Sequence, residues 1–417
     1  MPAIAFLECS RCREQISADT YKTVCPTCAG SLYVRYDMDA LKKTAARPAA
    51  HAPQSMWRYK DVLPAVDPVT LGEGWTPMLS SRRNSNILLK EEATNPTGTF
   101  KARGMSAAVS MARHYGQKKL AAPSAGNAAG ALAAYAAAAG IEANIFMPKD
   151  VPFANYLEGV AYGANVTLVD GLISDCGRIV AETIKAQKAE QAAGKLAPEN
   201  VWFDVTTLKE PFRVEGKKTM GYELVEQLGW KYPDAVFYPT GGGVGLIGMW
   251  KAFEEMEQLG WVSGKRPKMI ATQASGCAPV ARAYKEGADV SKMFENAATF
   301  AAGLRVPKPY GDYIILDVVR KSGGTVVDVS DETILASLLD WSRNEGILLS
   351  PEGASATAAY NQLIETGFLK PSDRVVIFNT GAGLKYVDMI AEAMKVVRPG
   401  TSNLPARTPV GGIITPQ

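Results

Sequence analysis

The stretch Asn95-Pro96-Thr97-Gly98-Thr99-Phe100-Lys101-Ala102-Arg103-Gly104 puts one lysine where chemistry is possible. Asn-Pro and Thr-Gly punctuate a turn, and an amphipathic run from Ala102 to His114 follows, so Lys101 stands at the N-terminus of a predicted helix. The positive end of the helix dipole repels an ammonium and lowers the pKa of the amine. A neutral lysine amine is a nucleophile, and lysine nucleophiles form Schiff bases with a carbonyl substrate or with pyridoxal phosphate. The plainer alternative is a surface lysine beside a turn.

Three more loops, each after a predicted strand, carry residues that would complete such a site. Gly241-Gly242-Gly243-Val244-Gly245 lies between a strand and a helix, where bare backbone N–H groups converge on an anion, most naturally a phosphate. Its spacing fits neither G-x-G-x-x-G nor G-x-x-x-x-G-K-[ST], which weakens dinucleotide and nucleoside triphosphate readings. In Pro123-Ser124-Ala125-Gly126-Asn127, Asn127 offers a side-chain hydrogen bond, and Ser124 to Gly126 offer backbone N–H groups to a carboxylate. A simple helix cap is the alternative there. In Asn379-Thr380-Gly381, a threonine hydroxyl can meet a ring nitrogen without delivering a proton to it. Singly these loops are ordinary; together they are what a pyridoxal phosphate site requires.

Four of the six cysteines fall as Cys9-x2-Cys12-x12-Cys25-x2-Cys28, two knuckles that can close on one tetrahedral ion. This is a strong zinc-ribbon signal, and with all four positions used as ligands the metal (Zn2+) reads as structural. Local redox pairs or disulfides compete with it, but the compartment argues against them. Cys176 and Cys277 read as small buried apolar residues.

The elements that must position these loops alternate. Short apolar runs at 87–90, 119–122, 143–147, 165–169, 235–238, 268–272, 325–329 and 374–378 are separated by helical patterns at 102–114, 127–139, 153–162, 172–190, 214–228, 244–258, 331–344, 353–366 and 384–395. Such alternation predicts an α/β fold with a mainly parallel sheet covered on both faces, binding ligands at the carboxyl ends of its strands. The chain of 417 residues divides into a ribbon-like 1–36, a proline-rich linker over 37–70, a catalytic region over 71–398 and an extended tail over 399–417. With 47% hydrophobic and 21% charged residues and a net charge of +3, nothing points to a nucleic-acid partner. No apolar run of about 18 residues suggests a membrane span, and Met1 to Glu8 does not open like a signal peptide, so a cytoplasmic enzyme is expected. The two histidines, His51 and His114, sit in no motif and are assigned to the surface.

In order and spacing, the cysteine knuckles, Gly72-Glu73-Gly74-Trp75-Thr76-Pro77, the Lys101 stretch, Arg213-Val214-Glu215-Gly216-Lys217-Lys218-Thr219, the Gly241–Gly245 loop and Asn379-Thr380-Gly381 resemble the threonine synthase family of fold-type II pyridoxal phosphate enzymes. The resemblance implies two open α/β domains, the smaller (about 103–212) inserted in the larger. It implies that Lys101 carries the cofactor in Schiff-base linkage and acts as catalytic base and acid. Asn127 then bonds the phenolic oxygen, Gly241 to Gly245 hold the phosphate and Thr380 faces the pyridine nitrogen. Thr97, Ser124, Ala125, Gly126 and Arg213 fall at the amino-acid substrate. The implied reaction converts O-phospho-L-homoserine and water to L-threonine and phosphate, and a homodimer is the expected assembly. Departures exist: Ala102 stands where the family usually has Asp, Ala125 where it has Thr, and Leu208 and Glu210 occupy positions where many members carry groups that hold the substrate phosphate. Ala102 and Ala125 look like ammonia-lyases acting by β-elimination on serine, threonine or 2,3-diaminopropionate, which is the alternative activity. A third reading makes the ribbon an interaction module on an inactive enzyme.

Overall fold

The computed structural model describes residues 4–124 and 126–396, with the backbone of Ile413–Ile414; Ala125 and the rest of the tail lie outside the described residues. The chain opens with a small antiparallel sheet of β1 (Phe6–Cys9), β2 (Gln15–Ile16) and β3 (Leu32–Arg35), in the order β2-β1-β3. Only β3 was legible as a strand, since the other two are too short to show alternation. Helix α1 (Met38–Thr44), capped by the Asp37 carboxylate, follows. The segment read as a linker is packed: in the 3-10 turn Met56–Val62, Trp57, Arg58 and Tyr59 are buried, the last two donating to Glu226.

The body then runs β4 (Met78–Ser80), β5 (Ile87–Glu91), α2 (Lys101–His114), β6 (Lys119–Pro123), α3 (Asn127–Ala139), β7 (Glu142–Pro148), α4 (Phe153–Ala161), β8 (Asn165–Val169), α5 (Ile173–Ala192), β9 (Phe203–Asp204) and α6 (Phe212–Gln227). It continues with β10 (Ala235–Pro239), α7 (Val244–Gln258), β11 (Lys268–Ala274), α8 (Pro279–Lys285), α9 (Asp312–Lys321), β12 (Thr325–Val329), α10 (Asp331–Asn344), α11 (Pro351–Glu365), β13 (Val375–Asn379), α12 (Val387–Ala393) and β14 (Ile413–Ile414). One sheet has the order β12-β11-β10-β13-β5-β4, parallel except for the edge pair β4–β5; the other, β14-β8-β7-β6-β9, is parallel throughout. The α/β alternation is present as expected, with α8 and α9 as helices the sequence reading had not placed. Strands β5, β10 and β13 are buried at every position, which is why β10 and β13 read as near-continuous apolar runs rather than alternating ones, while β5 ends in the buried Lys90 and Glu91.

Helix α6 is the hub. It is buried from Phe212 to Val225, so its sequence has no polar face, and its charged residues are internal. Glycines let its neighbours come close: a Cβ on Gly221 would fall 2.8 Å from that of Ala252 on α7, and a Cβ on Gly104 of α2 would fall 2.9 Å from Lys217 Cε. Arg103 on α2 reaches Glu223 and Glu92, and Lys90 on β5 reaches Glu223, all with side chains fully buried. Glu223 also accepts the N–H groups of Trp75 and Thr76, while Asn95 Oδ1 accepts the Gly74 N–H at 2.9 Å. This ion cluster ties the loop before Lys101 to α6 and to the Gly72–Pro77 segment.

Candidate active site

Lys101 is the first residue of α2, as its turn chemistry suggested. Its amine rests against the Phe100 ring, 4.4 Å from the centroid, and among the described residues no carboxylate pairs with it. Burial, then the nearby Arg213 guanidinium, push its pKa down to about 7, against a smaller opposing pull from Glu352. The sequence argument had invoked the helix dipole; desolvation is the larger cause. In cofactor-free protein, the rate of competitive acetylation at Lys101 should therefore rise with pH through about 7, because only the neutral amine reacts. An inflection near the ordinary lysine value would show the amine to be solvated.

The Thr380 loop pairs directly with the turn that carries this lysine. Phe100 N–H donates to the Thr380 carbonyl at 3.1 Å, and Ala382 N–H to that of Gly98 at 2.9 Å, so the Lys101 and Thr380 loops are paired. Thr97 sits in the left-handed region at φ 62°; its carbonyl accepts from Lys385 Nζ at 2.9 Å, and its buried hydroxyl has no partner. Asn127 begins α3 and donates to the Tyr386 hydroxyl at 2.6 Å, leaving its buried Oδ1 unpartnered. Gly126 adopts φ 143°, where a Cβ would press on Asn155. Ser124 Oγ accepts the N–H groups of Gly126 and Ala129, so this hydroxyl closes the turn; Ser124 N–H goes to the Phe146 carbonyl. The two described amides of the turn are thus engaged within the protein, and Asn127 keeps the spare capacity. Ala125 lies outside the described residues.

Gly241, Gly242 and Gly243 lead into α7, which begins at Val244 and Gly245. A Cβ at Gly242 would fall 2.9 Å from Thr207, one at Gly243 (φ 74°) would meet Ile315, and one at Gly245 would meet the Tyr238 hydroxyl, itself buried and unpartnered. Side chains are therefore excluded from this helix start and its amides are bare, as a phosphate requires. Orphaned acceptors, a bare amide cradle and a neutral-prone amine fit pyridoxal phosphate.

Arg213 is buried in the first turn of α6; one terminal nitrogen donates to the Val205 carbonyl at 2.8 Å and its Nε has no partner. Glu210, one of the departures from the family pattern, has its carboxylate hydrogen-bonded at the start of α6: it accepts the N–H groups of Phe212 (2.9 Å) and Arg213 (2.7 Å) and the Tyr21 hydroxyl. Sequence reasoning missed Tyr386, Glu352 and Lys217. Glu352 follows Ser350-Pro351, which reads only as a helix start, yet it is buried and accepts the Gly303 N–H at 2.7 Å. Lys217, buried one turn beyond Arg213, reaches the Phe100 carbonyl across the gap left by Gly104. Its i+4 spacing from Arg213 was the available signal.

At the N-terminus, the sulfurs of Cys9, Cys12, Cys25 and Cys28 all lie within 4.8 Å of one another. Cys9–Cys28 and Cys12–Cys25 stand 3.4 and 3.6 Å apart, too far for disulfides and close to the separation of about 3.8 Å that tetrahedral Zn–S bonds of about 2.3 Å impose. Cys176 and Cys277 are buried and apart from this cluster.

The two largely parallel sheets, with the Asn127, Gly241–Gly245 and Thr380 loops at the carboxyl ends of β6, β10 and β13, fit an enzyme of the pyridoxal phosphate class. A family model described as pyridoxal-phosphate dependent enzyme matches residues 69–381. A threonine synthase of Methanosarcina acetivorans is 33% identical over 387 residues, 91% of this chain and 92% of that one. Another, of Methanocaldococcus jannaschii, is 32% identical across 92% of this chain and 94% of its own. The threonine synthase structure from Escherichia coli superposes with a TM-score of 0.69 at 15% identity, covering 94% of this chain and 92% of that chain. Threonine deaminase isoform 2 from Solanum lycopersicum does so at 0.59 and 22%, covering 76% and 87%. The chain belongs to the threonine synthase family of pyridoxal-phosphate-dependent enzymes. No described helix is long and apolar enough to cross a membrane.

Proposed function

We propose that the protein is a carbon–oxygen lyase that converts O-phospho-L-homoserine and water to L-threonine and phosphate by γ-elimination and β-replacement. The observation that carries this reading is the buried Arg213 guanidinium near Lys101, with its Nε unpartnered and the Glu210 carboxylate hydrogen-bonded to other groups. The cofactor, when bound, delocalises the electron pair left at the substrate's α carbon. The bare amides from Gly241 to Gly245 hold its phosphate, Asn127 and Thr380 orient its ring, and Lys101 anchors it. A threonine partner at the ring nitrogen supplies no proton, which suits elimination and replacement over transamination. The Lys101 amine, whose neutral form is favoured by burial and by Arg213, takes the proton from the α carbon and moves protons at the β carbon. Arg213 holds the substrate phosphate and neutralises it as it leaves from the γ carbon, and water then adds at the β carbon. Supplying the cofactor-loaded enzyme with O-phospho-L-homoserine should release threonine and phosphate in equal amounts. Oxo acid from serine, threonine or 2,3-diaminopropionate, with no phosphate release, would instead assign an ammonia-lyase.

The four cysteine sulfurs are read as a closed structural zinc site in a cytoplasmic homodimer. Metal analysis should give one zinc per chain, and Cys25→Ser should lose it and lower the melting temperature, since a ribbon this small cannot bury enough surface without its ion. Full melting temperature in metal-free protein would remove the metal from the account.

A further inference from the structure

The loop between the two cysteine knuckles reaches the catalytic body through one side chain. The Tyr21 ring stacks on Phe203 with centroids 3.9 Å apart and on Tyr115 at 5.0 Å, which aims its hydroxyl at Glu210 Oε1, 2.8 Å away. That hydroxyl also lies 3.2 Å from the Ala108 carbonyl, and Tyr115 in turn donates to the Ala18 carbonyl at 2.6 Å, so the loop is held from both sides. Glu210 therefore has every donor it needs outside the site: Tyr21 and Phe212 N–H on Oε1, Arg213 N–H on Oε2. The Arg213 side chain, three residues away on the same turn, receives no hydrogen bond from it, although the two charges attract.

We infer that Tyr21 of the ribbon is a positioning residue for the substrate site, holding the Glu210 carboxylate off Arg213 so that the guanidinium stays open to the substrate's phosphate. This rests on the reading of Arg213 given above. Without the tyrosine hydroxyl, Oε1 keeps a lone pair unfilled in a buried setting, where an unmade hydrogen bond is costly. The Arg213 guanidinium, already coupled electrostatically to Glu210 and with its Nε unpartnered, is then the available donor, and a carboxylate bound there competes with any incoming anion. The N-terminal module would then tune anion affinity from outside the catalytic sheets.

The test is phosphate affinity, measured by calorimetry on the cofactor-loaded enzyme with inorganic phosphate as probe, for wild type, Tyr21→Phe, Glu210→Gln and the double variant. Phenylalanine keeps the stack on Phe203 and removes only the hydroxyl, and melting curves check that the fold persists. Tyr21→Phe should weaken phosphate binding about tenfold and raise KM for O-phospho-L-homoserine in parallel, with kcat within twofold. The double variant should recover wild-type affinity, because glutamine still accepts the helix amides but carries no charge; a merely structural loss would not be rescued. Unchanged affinity in Tyr21→Phe, a defect that Glu210→Gln fails to rescue, or a wild type that binds no phosphate overturns the inference. Turnover of the wild type on O-phospho-L-homoserine is scored separately: phosphate binding that follows the expected pattern without turnover sinks the proposed reaction while leaving the Tyr21 coupling standing.

Discussion

Lys101→Ala will reduce turnover by at least about 10⁴-fold while the protein melts within a few degrees of wild type. In the proposed reaction one side chain both anchors the cofactor and moves the protons, so its loss removes covalent and acid–base contributions together. Truncation removes no ion pair, because among the described residues none is made at Lys101. The visible absorbance of the purified protein is the second readout: bound cofactor will wash out on dialysis of the variant and persist in wild type. Lys101→Arg separates charge from nucleophilicity, since a guanidinium stays protonated and cannot attack a carbonyl, and it should be as inactive as the alanine variant. Residual activity within tenfold of wild type would mean that another amine, with buried Lys217 the first candidate, does the chemistry.

Glu223→Gln will cost about 3–5 kcal/mol of stability, the toll of breaking a buried ion pair from one side. Glu223 receives Lys90, both terminal nitrogens of Arg103 and two backbone N–H groups, and no water reaches the side chains. The amide substitution keeps the volume but leaves Lys90 and Arg103 sharing Glu92 alone, and a urea unfolding midpoint reports the loss. Burial alone would raise the Glu223 pKa, but Arg103 and Lys90 outweigh it and hold the carboxyl well below the usual range. A group depressed on folding contributes its stability above the unfolded value, about 4.3, and loses it as pH falls below that. Wild type should therefore lose stability steeply below about pH 4, and Glu223→Gln should show a shallower acid limb. Equal acid limbs would place the stabilising charge elsewhere.

Much of this was legible in the chain. Strands buried on both faces write themselves as apolar runs, and glycine loops after them mark where a phosphate fits, so β10, β13 and the Gly241–Gly245 turn could be read directly. What was not legible is what depends on pairing across the sequence. Glu210 stood out only as a departure from the family's phosphate-holding pattern because its partner Tyr21 lies 189 residues earlier, in a different module. Glu352 and Tyr386 looked like helix-start residues because nothing local says that their side chains turn inward. Likewise, Ser124 was assigned to the substrate with a simple cap as the alternative, and the fold shows its hydroxyl accepting the Gly126 and Ala129 N–H groups.

The ribbon's docking contacts bear on the order of events during synthesis. Tyr21 waits for Glu210, Tyr36 for Glu215 and Ser10 for Tyr313, separations of 189, 179 and 303 residues. At about 5–20 residues per second, roughly 10 to 40 s pass between the emergence of Tyr21 from the ribosome and that of its partner. For that interval the first module has no body to rest on, and in the proposed zinc site an ion held by the four thiolates would brace its β1–β3 sheet without anything downstream. Metal supply would then govern how much chain survives to dock, a control over yield set before the catalytic sheets exist.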